Sequence, residues 1–384
     1  MLLVDTLFYA AVAPILPYYT ARFDLSKSAA GLLTAAYPAG TLLFAIPAGL
    51  LAARLGVRAT VLIGLNLLGA ASVIFAFADS VAVLDTARFV QGAAGACSWA
   101  GTLAWVIGAA PPERRGEVSG TALGAAIFGA LLGPAVGGLA VAIGPEPVFA
   151  STLVVTSALS FWVLRTRAAR PGPRQPLSFL LATARRPAVL RAAWLTLLPA
   201  ILFGVLEVLM PLRLDALGAG TAAISATFVA SAALEAVMAR WIGSASDRLG
   251  RFRPIRAGLL ATIAFALLAP WLQPWWLLAM LVVVSGVAFG MLFAPATALL
   301  GDAAESAGLD LGLAYALGNL AWAGGQAIGS SGGGGLAEGS TDAVTYGLLA
   351  ALLAVTVVIL GRAGPEPLPA ASVPASASRA EESA

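Results

Sequence analysis

Long apolar stretches separated by short polar segments run through most of the chain. Taken as runs near the roughly 20 residues that cross a bilayer, they predict helices at about 2–19, 28–52, 59–78, 81–108, 117–142, 147–164, 189–212, 220–242, 255–272, 275–300, 308–332 and 341–361. The fold class predicted is an all-α membrane protein with twelve transmembrane helices. The pattern is interrupted at 165–188, where Arg165, Arg167, Arg170, Arg174 and Pro176 cluster. That interruption predicts a cytoplasmic linker between two six-helix halves, 1–164 and 189–361. Residues 362–384 are mostly Pro, Ala, Ser and Glu, cannot bury a core, and are expected to form a disordered cytoplasmic tail. The first run begins almost at Met1, which leaves room for a start upstream of it.

Internal repetition supports the division into halves. Gly49, Arg54, Leu55 and Gly56 recur as Gly243, Arg248, Leu249 and Gly250, each 194 residues later and each between the second and third helix of its half. Gly129, Gly133, Pro134, Gly137 and Gly138 of the fifth span are echoed by Gly325, Gly329 and Gly332 to Gly335 of the eleventh. Duplicated six-helix halves are the architecture of rocker-type transporters, which predicts a cavity at the bilayer midplane. Charge then orients the chain. With both termini in the cytoplasm, only Arg22, Lys27 and Arg213 fall in outside loops, Arg88, Arg191 and Arg240 lie in or at the edges of helices, and every other arginine is inside. This obeys the positive-inside rule and predicts a multi-pass protein of the cell (plasma) membrane.

Composition narrows the chemistry. The chain is 60% hydrophobic and 11% charged, whereas soluble domains carry about 25% charged residues. The net charge of +3 is spread over short loops, so nucleic acid is not an expected partner. Cys97 is the single cysteine and there is no histidine, which excludes disulfides, Cys/His metal sites and histidine-dependent catalysis. No Gly-x-x-x-x-Gly-Lys phosphate loop occurs, so ATP hydrolysis is not expected. The expectation is a non-enzymatic protein without cofactor or metal. Lys27 is the one lysine beside 21 arginines, a bias read as GC-rich codon usage and a bacterial source.

Candidate working residues are those that hydrocarbon disfavours. A carboxyl group in the membrane is costly when ionised and so suits proton carriage. Asp5, Asp85, Glu207 and Glu235 lie within spans. Their competing readings are acids near span ends for Asp5 and Glu207, an offset to Arg240 for Glu235, and a partner one turn from the intramembrane Arg88 for Asp85. Tyr315, Asn319, Trp322 and Gln326 recur at spacings of four, three and four, so they share one helix face. That stripe reads either as a cavity lining, extended by Phe8, Tyr9 and Tyr37, or as an interhelical contact. Aromatic faces attract organic cations by about 0.5 to 2 kcal/mol each.

Several motifs carry a family resemblance. Gly49-Leu-Leu-Ala-Ala-Arg54-Leu-Gly56-Val-Arg58 and Gly243-Ser-Ala-Ser-Asp247-Arg248-Leu-Gly250-Arg251 resemble the signature loop of the major facilitator superfamily, a conformational latch. The first copy has Ala53 where the family usually has Asp. Arg88-Phe-Val-Gln91-Gly92 resembles the fourth-helix motif, and Gly129-Ala-Leu-Leu-Gly133-Pro134-Ala-Val-Gly137-Gly138 the fifth-helix motif of the antiporter branch. From Val4 to about Leu360 the chain is most similar to the drug:proton antiporter branch, and within it to vesicular amine transporters. Asp5 with Ala13 to Pro17, Glu207 with Pro211, and Pro295, Asp302, Tyr315 and Ala327 to Gly329 carry that likeness. It departs where tenth- and eleventh-helix acids fall on Gly290 and Asn319, and a second-helix lysine on Tyr37. The resemblance implies a monomeric secondary transporter in the lipid bilayer, handling protons and a small-molecule substrate. The function expected is proton-coupled export of small amphipathic or cationic compounds. The alternatives are a symporter or facilitator for an uncharged nutrient or metabolite, and a non-transporting membrane protein.

Overall fold

The structure is a computed structural model that describes residues 1–111, 114–167, 177–309 and 311–362. Residues 168–176 of the expected linker and the tail from 363 onward lie outside the described residues. The described chain is helical: α1 Leu2–Ala10, α2 Val12–Phe23, α3 Lys27–Leu55, α4 Val57–Ala76, α5 Val81–Ala109, α6 Arg115–Ile143, α7 Pro145–Arg165, α8 Leu177–Ala184, α9 Pro187–Ala216, α10 Thr221–Leu249, α11 Phe252–Leu268, α12 Trp275–Ser306, α13 Leu311–Gly339 and α14 Asp342–Arg362. Among the described residues nine helices are long and apolar enough to cross a membrane, and α1 with α2, bent by 41°, makes a tenth. The 29-residue α5 and α13 are as long but carry more polar side chains, Arg88 and Gln91 on one, Asn319 and Gln326 on the other.

The first expected span is thus two helices. Pro14 has no N–H for the carbonyl of Ala10, and its ring crowds that carbonyl, so the helix breaks at Ala11. The interval 165–188 also differs from expectation, because the short helix α8 stands within it. The repeat of the second-to-third helix loop is visible in the backbone: Gly56 and Gly250 take matching left-handed conformations, φ +88° and +82°, where a side chain would be strained. Nearby, Arg58 donates to the Thr166 carbonyl just past α7, and Arg256 donates to the Leu360 carbonyl of α14 at 2.5 Å. In each case an arginine satisfies carbonyls at the end of a long helix.

Helices α1 to α7 pack largely among themselves, as do α9 to α14. The two sets meet where α3 crosses α13, α6 meets α10 and α2 meets α9. Their closest approach is at the end where α2 stops and α3 starts. A Cβ on Gly31 would lie 2.5 Å from the Ser330 carbonyl oxygen, and one on Gly138 would lie 2.5 Å from Ser225 Oγ. Polar groups clasp the same end. Lys27 Nζ lies 2.5 Å from Asp342, Arg213 lies 3.8 Å from the other oxygen of that carboxylate, and the Ser28 amide donates to Glu338 at 2.7 Å. Toward the opposite end, Gly49, Gly116, Gly120, Gly124 and Gly243 have nothing among the described residues within 4 Å of where a Cβ would stand. There the sets are bridged by Tyr315, packed near Leu2, Leu103 and Ala126.

The latch residues lie at that looser end. Arg54, Asp247 and Arg248 are exposed. Asp247 forms no ion pair among the described residues, and the bridge beside this loop is Arg251 to Asp302 at 2.5 Å. Arg251 starts the following helix and faces the end of α12, whereas Asp247 lies one turn earlier on the exposed flank of α10.

Candidate functional site

The glycine stripe of α6 receives α1. A Cβ on Gly133 would stand 2.5 Å from Ala10 Cβ and 2.7 Å from the Leu7 carbonyl, Gly129 and Gly137 are equally close to α1 and to Ala11, and Thr6 Oγ1 donates to the Ala126 carbonyl at 2.7 Å. Pro134 sits within this groove. In the other set α13 receives α9 in the same way, with Gly325 and Gly329 against Leu197, Ala200 and Ile201. These two dockings fix the depth of the acids that α1 and α9 carry. Small residues at helix contacts let backbones approach closely, which is how a membrane bundle is held without a hydrophobic drive between helices.

Asp5 and Glu207 are both buried, 1% and 4% exposed. The Asp5 carboxylate accepts the Tyr37 hydroxyl at 2.9 Å from each oxygen and the Trp99 indole N–H at 3.1 Å. Glu207 Oε2 accepts from the Tyr9 hydroxyl at 3.0 Å and from Gln326 Nε2 at 2.7 Å, and Gln326 also donates to the Tyr9 oxygen. The Tyr9 and Tyr37 rings lie 4.8 Å apart. Arg88, 2% exposed, places its guanidinium 4.9 Å from the Tyr37 ring centre and 6.0 Å from that of Tyr9. It donates to Gln91 Oε1 at 2.9 Å, and Gln91 donates to Ser72 at 3.0 Å. Two carboxylates from opposite sets are therefore joined through two tyrosine rings, tilted by 42° to each other, beside one cation. Neither acid forms an ion pair with Arg88.

Close packing builds this network. Gly92 abuts the Tyr37 carbonyl, which brings α3 against α5, and a Cβ on Gly95 would lie 2.5 Å from the Tyr37 hydroxyl and 3.0 Å from Asp5. Asp85 does not pair with Arg88, contrary to the reading that an acid one turn away serves it. The long arginine side chain runs inward to the tyrosine rings, while Asp85 stays half-buried with one carboxylate oxygen unpartnered. Phe8 is also not in the cavity wall expected for it: it packs at 6.1 Å on Phe149, one residue round the helix from Tyr9.

The structure thus brings Asp5, Tyr37, Glu207 and Gln326 together. Trp322 stands apart from them in a ring cluster with Phe203, Phe289 and Phe293, Glu235 lies against Gly290 of α12, and Tyr315 and Asn319 are farther along α13 toward the looser end. Trp99 and Ser72 were not anticipated. Trp99 had a signal, since Arg88, Gln91, Gly92, Gly95 and Trp99 follow one face of α5 at steps of three and four.

Comparison with known proteins bears on this site. The model of the Major Facilitator Superfamily matches residues 1–325 and 193–383. The MFS-type transporter ppzB of Metarhizium rileyi is 34% identical over 143 residues, 36% of this chain and 30% of that protein. The synaptic vesicular amine transporter of Homo sapiens is 26% identical over 301 residues, 76% of this chain and 58% of its own length. The matches therefore span about a third to just over half of these curated relatives. A crystal structure of a D-xylose-proton symporter superposes with a TM-score of 0.74 at 16% identity, over 95% of this chain and 96% of the symporter, a likeness of fold alone.

Proposed function

The chain belongs to the Major Facilitator Superfamily, and on that premise we propose that it is a proton-coupled exporter of small, amphipathic organic cations. The observation that carries the proposal is the charge count of the buried network. Asp5 and Glu207, one from each helix set, face a single guanidinium, so with both acids ionised the side chains of the network are one positive charge short of neutral. Uncompensated charge out of water is costly. A proton on either acid, or the ammonium group of a substrate beside it, supplies the missing charge, and accepting one favours release of the other. That exchange is antiport.

The two sets act as rocking halves, with α1 and α9 presenting the acids near the middle of the bilayer. With the arginine-rich loops in the cytoplasm, the clasped end is the outer one, and this conformation receives substrate from inside. The similarity to an amine transporter supports an amine-like substrate. Asp5→Asn with Glu207→Gln tests the proposal. Everted vesicles bearing this double variant are expected to lose gradient-driven uptake of a fluorescent cation. Retained uptake would overturn proton exchange at these acids.

A further inference from the structure

We propose that helices α9, α10, α12 and α13 hold a second cation subsite, separate from the Asp5 and Glu207 network, in which Glu235 and the rings of Phe203, Phe289, Phe293 and Trp322 receive an arylalkylammonium group. Four rings from three helices converge here. Phe203 of α9, Phe289 and Phe293 of α12 and Trp322 of α13 have centroid separations of 4.9 to 5.9 Å, and each ring is only partly buried. A cluster formed merely to fill a core would be closed on all sides. This one stays partly exposed, and aromatic faces attract cations through their quadrupoles.

The carboxylate beside it is placed by a glycine. At Gly290, between Phe289 and Phe293, a Cβ would stand 3.1 Å from Glu235 Cγ and 3.6 Å from its Oε1. Any side chain at 290 would displace this acid, so Gly290 is what lets α10 lay a carboxylate on α12. Phe293 lies three residues from Gly290 on the same flank of α12. Glu235 has neither a hydrogen bond nor an ion pair among the described residues, whereas Asp5 and Glu207 each accept from two donors. Arg240, five residues on, faces another side of α10. A half-buried carboxylate without a partner calls for a cation, and the adjoining rings select one with apolar substituents. Trp322 and Gln326 are one turn apart on α13, so the two subsites adjoin without sharing a side chain.

The proposal rests on the chain being a cation carrier, and the test keeps the two claims apart. Binding of benzyltrimethylammonium and of its uncharged carbon isostere, neopentylbenzene, is measured by calorimetry on the purified full chain. The Asp5→Asn, Glu207→Gln background is expected to retain ammonium binding. Adding Glu235→Gln to it should lower ammonium affinity at least 10-fold and leave the isostere unchanged, while Trp322→Leu should weaken both ligands. Ammonium affinity that ignores Glu235→Gln overturns the subsite. So does its complete loss in the Asp5→Asn, Glu207→Gln background, a result that leaves the export proposal standing. If Glu235→Gln fails to fold, Phe293→Leu decides: unchanged affinity for both ligands refutes the ring cluster. Gradient-driven uptake that survives the Asp5→Asn, Glu207→Gln pair would instead remove proton exchange at those two acids and not this subsite.

Discussion

Alternating access requires the clasped end to part, and the crossing of α3 and α13 offers a way to force it. In Gly31→Ala the new Cβ would lie 2.5 Å from the Ser330 carbonyl oxygen and 3.2 Å from Gly334 Cα, where ordinary contact begins at 3.4 Å. Both neighbours are backbone of the opposite helix set, so neither can rotate away. The helices must separate locally by about 0.9 Å or open, and overpacking of this kind costs about 1–3 kcal/mol. The penalty exists only while this end is closed, so the ratio of open to closed forms should rise by roughly 5- to 150-fold. Nitroxides at Ala21→Cys and Ser340→Cys, in a Cys97→Ala background, report the separation across this end by pulsed dipolar spectroscopy. A long-distance population should appear or grow in Gly31→Ala. An unchanged distance distribution in a folded variant would refute the claim that the Gly31 crossing is a moving contact.

Gly133→Leu perturbs a contact within one set, where even a Cβ would lie 2.5 Å from Ala10 Cβ. It should lower thermal stability by about 1–3 kcal/mol or more without a specific shift toward the open form, which denaturation and the same spin labels can tell apart. Arg256→Ala removes the side-chain donor to the Leu360 carbonyl of α14 and should cost about 1–3 kcal/mol, seen as a lower melting temperature with cation binding intact. Binding of a permanently charged cation should weaken as pH falls, because protonating Asp5 or Glu207 removes the attracting charge, while an uncharged isostere should show no pH dependence; equal pH profiles for the two would count against these acids as the exchange site. Tyr37→Phe removes the donor that Asp5 accepts on both oxygens and should shift the pH midpoint of cation binding upward, measured by titrating affinity between pH 5 and 9 as an experimental range of about four units.

Much of the architecture was legible because lipid imposes simple demands. Apolar runs of spanning length mark the helices, and Gly56 and Gly250 announce a repeated turn that needs positive φ. Asp5, Glu207, Tyr37 and Gln326 attract notice as polar groups in apolar helices, and they do lie together. What joins them was not legible. Tyr9 and Glu207 are 198 positions apart, and nothing local specifies that their helices meet. Arg88 shows the limit of local reasoning: helical spacing offers Asp85 as a partner, but packing against α3 offers Tyr37 and Gln91 offers an amide oxygen. Nothing in the sequence pattern singles out Phe289 and Phe293, and only the packing of α9 and α13 brings Phe203 and Trp322 against them.

The clasp at Lys27 also equips the chain for being watched. Lys27, whose ammonium group is held against Asp342 at 2.5 Å, is the single lysine in 384 residues, so apart from the amino terminus it offers the only primary amine. Acylating reagents that never touch arginine would therefore modify one side chain, and its rate of modification would follow how often the clasp lets go. In the proposed orientation, a membrane-impermeant succinimidyl ester applied from outside would become a clock for outward opening, without an engineered label. Slowing of that clock when cation is loaded from the inside, or quickening when the proton gradient is imposed, would read the transport cycle directly from one nitrogen atom.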